Sequence, residues 1–412
     1  MELLPWPPPP LTPEMLPKGY LATGFSAGIK ASGRPDVSIV VSKQAAEGAG
    51  VFTTNYVSAA PVCLSRKHLQ SHSDKIRAVI VTSGNANAAT GPRGITVARE
   101  LCTTVANSID CEPEAILIGQ TGLIGIPITN DKIIPNIRTN IEDLGGTPLH
   151  WSLAARGMMT TDTHPKWCSA TCEIMGTNVK ILGIAKGVAM AHPGMATVII
   201  SLFTDAAMSS EIADKILRAN VSDSFHALSI DGCQSTNDSV FLLANGAAGN
   251  KRISDTKKEA TAIKAISDAF HEVCRTLAIY MARDAEGANK LLICRVNGAR
   301  TKQDAIQIAR KVAGSVLVKC AIAGECAYWG RVIAEVGAAG IPVNPDKISI
   351  SFGNYLVCKD GFSYNHDKEG VAKYMKGNTI HISVALEDGD CEGEAFGCDL
   401  THEYLKINME KS

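Results

Sequence analysis

The stretch of residues 183–205 constrains the fold of this chain more than any other part of its sequence. A loop containing glycine and proline, residues 187–196, separates an apolar run from the β-branched run of residues 198–203. Apolar runs bounded by glycine and proline are typical of buried strands. The loop ends in Ala196–Thr197, so a small residue and then a hydroxyl residue lie directly before the strand. The sequence therefore predicts a threonine at the start of a buried strand.

The same dipeptide has the residue types that self-cleavage at an internal threonine requires. The Thr197 hydroxyl attacks the carbonyl carbon of Ala196, an N-to-O acyl shift follows, and water releases a chain that begins with Thr197. The freed α-amine, whose unperturbed pKa is roughly 7.7 to 8, then acts as general base for its own hydroxyl. A threonine at a strand start is by itself only a β-former. The self-cleavage hypothesis therefore depends on the rest of the sequence.

Further motifs in a fixed order support this hypothesis. The residues around the cleavage point are Lys186, Gly187, Met190, Pro193, Met195, Ala196 and Thr197. Other blocks occupy residues 83–91, 121–125, 159–163, 235–238, 282–288, 328–331 and 397–401. Together they resemble the glutamate N-acetyltransferase (ornithine acetyltransferase) family over nearly the whole chain. The resemblance implies self-cleavage between Ala196 and Thr197 into an alpha chain, residues 1–196, and a beta chain, residues 197–412.

The resemblance also implies an activity. Family members transfer the acetyl group of N2-acetyl-L-ornithine to L-glutamate through an acetyl-threonine, here Thr197, in a ping-pong cycle of arginine biosynthesis without a cofactor. Some members also use acetyl-CoA as donor, and the sequence leaves that question open. The implied assembly is a heterotetramer of two alpha and two beta chains. One alternative is a self-cleaving N-terminal-nucleophile aminopeptidase or amidohydrolase with water as acceptor. A second is a self-cleaved scaffold without catalysis.

Acyl transfer through a threonine ester also requires donors that stabilise an oxyanion. Thr121–Gly122 follows a predicted strand at residues 115–118 and opens a glycine-rich turn. Glycine lets backbone N–H groups approach a ligand closely, and a threonine hydroxyl can donate beside them. A Thr-Gly pair is more commonly only a tight turn. The resemblance implies that Thr121 and Gly122 form the oxyanion hole.

Four further residues fall on substrate-binding positions of the family. Thr160 begins a polar run, Lys186 precedes the cleavage loop, and Glu286 lies near a predicted helix end. A carboxylate such as Glu286 suits the side-chain ammonium of ornithine. Taken singly, these residues are also typical of a turn, a solvated lysine and an exposed helical charge. Asn408 matches near the C-terminus, whereas Ser412 lies one residue short of the family's terminal hydroxyl position.

Alternating β-branched and amphipathic segments predict an α/β (α+β) fold. Strands are predicted at residues 37–41, 78–81, 115–118, 198–203 and 240–243, and helices at residues 96–109, 211–219, 257–282 and 302–313. The resemblance implies a layered helix–sheet–sheet–helix sandwich with an additional C-terminal α/β domain. We expect a Pro-rich N-terminal extension at residues 1–15, the catalytic sandwich at residues 16–289 and the C-terminal domain at residues 290–412.

Composition excludes several classes of function. Apolar residues make up 45% of the 412 residues and charged residues 20%, and the net charge is −1. No basic surface is predicted for nucleic acid, and charged and proline residues interrupt the apolar stretch at residues 181–203, which argues against a membrane span. The thirteen cysteines show neither a disulfide framework nor zinc-site spacing. We therefore expect a cytoplasmic protein without a metal.

Overall fold

The computed structural model describes residues 4–190, 198–255 and 257–409. Its strands are β1 Tyr20–Phe25, β2 Val37–Phe52, β3 Ile76–Asn85, β4 Ile116–Leu123, β5 Lys166–Ile174, β6 Thr177–Lys186, β7 Ile199–Thr204, β8 Leu228–Ser229, β9 Ser239–Ala244, β10 Leu291–Ala299, β11 Ser349–Phe352, β12 Tyr355–Lys359, β13 Phe362–Ser363, β14 Thr379–Ala385 and β15 Cys391–Cys398. Its α-helices are α1 Ala60–His72, α2 Gly91–Ser108, α3 Ile133–Asn140, α4 Pro148–Met158, α5 Ser210–Asp223, α6 Ala260–Arg283, α7 Lys302–Gly314, α8 Val316–Ala323, α9 Trp329–Gly337, α10 Lys368–Met375 and α11 His402–Met409.

The described chain divides into two compact units. Unit 1 comprises residues 4–187, 198–221, 235–255 and 257–277, and unit 2 comprises residues 188–190, 222–234 and 278–409. Each unit contains a β-sheet and helices, so the predicted α/β class is confirmed. The domain boundary expected between residues 289 and 290 stays a prediction.

The sheet of unit 1 is built around one long strand. Its order over the described residues is β4–β3–β2–β9–β7–β6–β5, and β1 pairs with β2. The register of β2 against β3 shifts between Val41 and Ala46. Before this irregularity β2 pairs with β1 and β3, and after it residues 47–52 pair with β9. A single strand thus belongs to two halves of the sheet.

The two halves of this sheet share one buried cluster. Val79 of β3 and Leu117 of β4 belong to the same core as Leu182, Phe203 and Phe241 of β6, β7 and β9. Strands with apolar residues on both faces are buried on both faces. The inner faces of the two halves therefore pack on each other.

Helices cover the outer faces of both halves. Leu101 and Val105 of α2, one helical turn apart, pack with Ile80 and Ile118 on the outer face of β3 and β4. On the other half, a Cβ added to Gly183 of β6 would lie 2.7 Å from a side-chain methyl carbon of Leu277 in α6. The predicted helix–sheet–sheet–helix sandwich is confirmed.

Unit 2 contains a second sheet, with the strand order β13–β12–β11–β14–β10–β15–β8 over the described residues. The interior strand β10 pairs parallel with β14 and antiparallel with β15. Helix α7 starts at the N-cap Thr301, whose side chain accepts a hydrogen bond from the Asp304 amide. A Cβ on Gly393 of β15 would lie 2.7 Å from the backbone nitrogen of Ile306 in α7. The helix therefore packs directly on the sheet.

The order of strands in unit 1 bears on the predicted cut. Strands β7 and β9 follow residue 197 in the sequence, whereas β2 and β6 precede it. In the sheet, β7 and β9 lie between β2 and β6. The two predicted fragments are thus interleaved within one sheet.

Candidate functional site

The predicted nucleophile Thr197, its neighbour Ala196 and the doubtful Ser412 lie outside the described residues. Val198, which follows Thr197, begins the described segment that continues into β7. Its amide donates to Oδ1 of Asp238 at 3.2 Å, and its carbonyl oxygen accepts from the Ser239 amide at 3.0 Å. Both the amide and the carbonyl group of Val198, the residue before β7, are therefore held by hydrogen bonds.

The structure places Thr121 and Gly122 within β4 rather than in a turn after it. Thr121 is buried, with 1% of its surface exposed. Gly122 has a φ of +134°, and a Cβ there would lie 2.2 Å from the carbonyl carbon of Gly84 in β3. No residue with a side chain fits this position, because both the φ angle and the space exclude it. The backbone at Gly122 thus approaches β3 more closely than any other residue would allow.

Lys186 ends β6 and lies against Thr121. Its Nζ donates to Oγ1 of Thr121 at 3.2 Å, and only 3% of the lysine is exposed. An ammonium group has no acceptor, so the threonine oxygen must accept in this contact. The hydroxyl proton of Thr121 can then be donated to another group. In the register of the sheet, Lys186 lies opposite Ile199, two residues after Thr197.

Asp162 connects Thr160 to Gly187, the residue after Lys186. The sequence analysis did not identify it as a site residue. It accepts from the amides of Thr160 at 3.0 Å and Gly187 at 2.9 Å, and from Nζ of Lys166 at 2.8 Å. Burial by itself raises the pKa of this carboxyl. The charges of Lys166 and Lys186, with the hydrogen bonds from Lys166 and Gly187, lower the pKa by more than burial raises it, so the pKa of Asp162 lies well below its usual range. Asp162 is therefore an anion that holds Thr160 and the end of β6 together.

Lys30 is a further cation that the sequence analysis missed. Its Nζ donates to the carbonyl oxygens of Pro35 at 2.6 Å and Met159 at 2.5 Å, next to Thr160. Partial burial lowers the pKa of Lys30 to about 8, and the positive charge of Lys186 acts in the same direction. The hydrogen bond between Lys30 and Met159 spans 129 residues of sequence, so local residue order does not indicate that this lysine lies near Thr160.

In unit 2 the structure brings Glu286 and Asn408 together. Nδ2 of Asn408, in α11, donates to Oε2 of Glu286 at 3.0 Å and to the carbonyl oxygen of Tyr404 at 2.9 Å. Glu286 is 9% exposed, so it is not the exposed helical charge that was the alternative interpretation. A Cβ on Gly287, whose φ is +67°, would lie 2.4 Å from the Tyr404 nitrogen. Glycine at position 287 therefore lets α11 approach Glu286.

Asp231 is a second carboxylate in this part of unit 2. Its side chain accepts from the Met190 amide and, at 3.4 Å, from the Tyr404 hydroxyl. Burial raises the pKa of Tyr404, and the negative charges of Asp231 and Glu286 raise it further. The tyrosine thus stays protonated at neutral pH and can donate to Asp231.

The predicted site residues fall into two groups. Thr121, Gly122, Thr160 and Lys186 lie in unit 1, and Glu286 and Asn408 lie in unit 2. Within residues 4–190, 198–255 and 257–409, no group of three or more His, Cys, Asp or Glu side chains could hold a metal ion. None of the helices in this described part of the chain is long and apolar enough to span a bilayer.

In unit 1, the Lys186 ammonium donates to the oxygen of the buried Thr121 hydroxyl, and Gly122 follows Thr121 directly. The ArgJ family model matches residues 21–411. The chain therefore belongs to the ArgJ family.

Two relatives are similar over nearly their full length. The arginine biosynthesis bifunctional protein ArgJ of Symbiobacterium thermophilum is 40% identical over 394 residues, which cover 95% of this chain and 96% of the relative. The protein of the same name from Synechocystis is 39% identical over 403 residues, 96% of each chain. A crystal structure of ArgJ from Bacillus halodurans is 36% identical, covers 50% of this chain and 96% of that chain, and has a TM-score of 0.47.

Proposed function

We propose that this protein is a self-cleaving acetyltransferase that moves the acetyl group of N2-acetyl-L-ornithine to L-glutamate in arginine biosynthesis. Membership of the ArgJ family and the names of its relatives support this function. In the first half-reaction, the Thr197 hydroxyl oxygen bonds to the acetyl carbon and the carbon–nitrogen bond to ornithine breaks. The Thr197 α-amine takes the hydroxyl proton and passes it to the leaving amine. In the second, the amine nitrogen of glutamate bonds to the acetyl carbon and the ester bond to the Thr197 oxygen breaks. The Thr197 α-amine takes the proton of the attacking amine and returns it to the hydroxyl oxygen.

The observation that carries this proposal is the contact between Lys186 and Thr121. Because Lys186 Nζ donates to Oγ1 of Thr121, the threonine proton is left to donate to the oxyanion of the tetrahedral intermediate. The Gly122 amide is the second donor that we assign. A single such donor is worth roughly 3 to 4 kcal/mol in a transition state. The same donors serve the Ala196 carbonyl during self-cleavage.

The remaining residues bind the amino-acid substrate in this proposal. The Glu286 carboxylate binds the side-chain ammonium of ornithine. Asn408 fixes the position of the Glu286 carboxylate through the 3.0 Å hydrogen bond. Thr160 and Lys186 are assigned to the substrate as well, and the anionic Asp162 orients the backbone of both segments. The negative charge of Glu286 favours a substrate with a cationic side chain, so ornithine is preferred to amino acids with a neutral side chain.

The reaction needs no cofactor, because every step is an attack on an acyl carbon or a proton transfer. We place it in the cytoplasm, since all thirteen cysteines are free thiols. We further propose that two alpha and two beta chains form the assembly. The relatives are named bifunctional, which makes acetyl-CoA the second donor to test with glutamate.

The test measures acetylornithine consumption with and without glutamate, together with intact mass. We expect N-acetylglutamate and ornithine in equal amounts, and little turnover without glutamate. Acetate released at the same rate without glutamate would instead favour the hydrolase alternative, in which water is the acceptor.

Variants at the nucleophile complete this test. Thr197→Ala is expected to stay full-length and inactive, because it removes the attacking hydroxyl of both reactions. Thr197→Ser keeps a hydroxyl and is expected to retain part of each. An uncut Thr197→Ala protein with normal turnover would place the nucleophile elsewhere.

A further inference from the structure

The loop of residues 235–238, Ser-Thr-Asn-Asp, precedes β9 and has no role in the reaction as described above. Its Asn237 is 3% exposed. Nδ2 of Asn237 donates to two backbone carbonyl oxygens, that of Gln120 at 2.8 Å and that of Ala86 at 2.6 Å. Gln120 lies in β4 directly before Thr121, and Ala86 directly follows β3. One side-chain amide therefore links the residue that follows β3 to the residue of β4 that precedes Thr121.

Gln120 is also held through its side chain. Its Oε1 accepts from Nδ2 of Asn87 at 2.7 Å, and its Nε2 donates to Oγ1 of Thr82 at 3.1 Å. Because a peptide group is planar, fixing the carbonyl of Gln120 fixes the amide of Thr121 as well. The hydrogen bond from Asn237 thus sets the orientation of the peptide that leads into Thr121.

The next residue in the loop holds the nucleophile strand. Oδ1 of Asp238 accepts from the amide of Val198 at 3.2 Å, and Val198 is bonded covalently to Thr197. Burial raises the pKa of the Asp238 carboxyl well above its usual range, which outweighs the hydrogen bonds that lower it. A carboxyl oxygen accepts a backbone N–H in the protonated as well as in the ionised form, so the contact with Val198 does not depend on this shift. Adjacent residues of one loop therefore hold the strand that carries Thr121 and the residue that follows Thr197.

We propose that Asn237 is a positioning residue for acetyl transfer, which with Asp238 fixes the oxyanion donors of β4 relative to the start of the nucleophile strand. This inference rests on the function proposed above. Oxyanion stabilisation depends on donors that are already in place when the charge develops, and a displacement of about 1 Å can cost about a hundred-fold in rate. Asn237 acts through Thr121 and Gly122 and not on the substrate.

The main experiment compares Asn237→Ala with the matched control Asn245→Ala. Asn245 is also buried, at 5% exposure, in the same unit, and its Nδ2 donates to the distant carbonyl oxygen of Lys18 at 3.0 Å. Fragment formation, kcat and KM for acetylornithine, and Tm are measured on each preparation, with kcat calculated per cleaved molecule.

Asn237→Ala is expected to slow fragment formation and to lower kcat by about ten- to a hundred-fold, with KM within about three-fold of the wild-type value. The oxyanion exists only in the transition state, so its loss lowers kcat and kcat/KM together. Asn245→Ala is expected to lower Tm and to leave fragment formation and kcat at the wild-type level. A purely structural Asn237 would behave like Asn245.

Exchanges between amide and carboxyl provide a second, independent arm. Asn237→Asp keeps the shape of the side chain but loses the two N–H donors and faces two carbonyl oxygens, so it is expected to lower kcat at least as much as Asn237→Ala. At the next position the expected result has the opposite sign. Asp238→Asn keeps the oxygen that accepts from Val198 and is expected to restore most of the activity that Asp238→Ala loses.

The wild-type arm separates the two proposals. If the wild-type protein does not transfer acetyl, the proposed function and this inference both fail. If it does, and Asn237→Ala and Asn237→Asp have a kcat within two-fold of wild type, only the positioning role of Asn237 is overturned. A kcat loss in Asn237→Ala no larger than in Asn245→Ala overturns it too.

Discussion

At the scale of single residues, charge distinguishes the two groups of predicted site residues. Lys186, which donates to the hydroxyl oxygen of Thr121, is a cation in unit 1. Glu286, held by the amide of Asn408 through a 3.0 Å hydrogen bond, is a carboxylate in unit 2. An oxyanion develops only in the transition state, whereas the ammonium of ornithine is charged throughout. Variants in the two groups should therefore change different kinetic constants.

Glu286→Gln is the variant that tests the ammonium contact. The amide keeps the size and one acceptor but loses a charge-assisted hydrogen bond of roughly 1.5 to 3 kcal/mol. At about 1.4 kcal/mol per decade, the expected loss is on the order of ten- to a hundred-fold in kcat/KM for acetylornithine. Self-cleavage needs no ornithine and is expected at the wild-type rate.

Steady-state kinetics and fragment formation are measured on the same preparation of Glu286→Gln. The control is Glu335→Gln, which removes a partly buried carboxylate of unit 2 that lies 3.5 Å from Lys311 and accepts from the Ser315 hydroxyl at 2.9 Å. If Glu286→Gln and the control both transfer acetyl at the wild-type rate, Glu286 does not bind the substrate.

At the scale of elements, β4 shows why some parts of the fold could be predicted and others could not. The run Ile116–Ile118 is apolar on both faces, and the sequence predicted it as a strand. Helix α1 was missed because its buried face is partly polar. Ser65 and His68 of α1 hydrogen-bond to the backbone of Ile118 and Ile116 at 2.7 to 2.8 Å. They satisfy the free edge of β4, the outermost strand of its sheet, and a hydrophobic pattern does not record such contacts.

The residues of the candidate site also differ in whether the sequence could indicate them. Thr121, Lys186 and Glu286 were predicted as site residues because they lie in recognisable local motifs, and their roles stay predictions. The roles of Asp162, which accepts hydrogen bonds at 2.8 to 3.0 Å from three segments, and of Asn237 depend on contacts between distant segments. Local residue order contains no information on such distances.

His226, in the short segment Phe225–Ala227 before β8, predicts that the stability of the protein depends on pH. Burial lowers the pKa of His226 to about 4, and the charge of Arg310 lowers it further. The unfolded chain therefore binds this proton below its ordinary pKa of about 6.5 while the folded chain does not. The free energy of unfolding is therefore unaffected by His226 above pH 6.5, and it decreases as the pH falls from 6.5 to about 4. The loss amounts to on the order of 2 to 3 kcal/mol.

Thermal unfolding of wild type and His226→Gln between pH 4.5 and 7.5 measures this effect. The wild-type Tm is expected to fall by several degrees more than that of His226→Gln over this range. His402→Gln, at the exposed start of α11, is the control and is expected to follow the wild-type curve. Parallel Tm curves for His226→Gln and wild type would contradict the prediction.

At the scale of the whole molecule, the interleaved strands determine how the two fragments associate. Residues Ile181–Lys186 of β6 pair with Ile199–Thr204 of β7, and residues 47–52 of β2 pair with β9. Cleavage before Thr197 removes one peptide bond and leaves these ladders in place. The fragments should therefore stay together without a covalent link.

We expect the purified protein to run as two fragments under denaturing conditions, the larger beginning at Thr197, and as one species under native conditions. Intact mass spectrometry and native size-exclusion chromatography measure this. Fragments that separate without loss of sheet structure would contradict the interleaved arrangement. A stable, active, full-length chain would contradict the requirement for cleavage.

The insertion of β7 and β9 between β2 and β6 also fixes an order of events. A chain cut before folding would have to bring two separate molecules together to complete its central sheet, at a concentration-dependent rate. A chain that folds first forms the sheet within one molecule and is cut afterwards. On the proposed function, the free amine of Thr197 would appear only in molecules whose sheet has already formed. Total activity in the cell would then be proportional to the number of correctly folded chains, because misfolded chains would remain uncut and inactive.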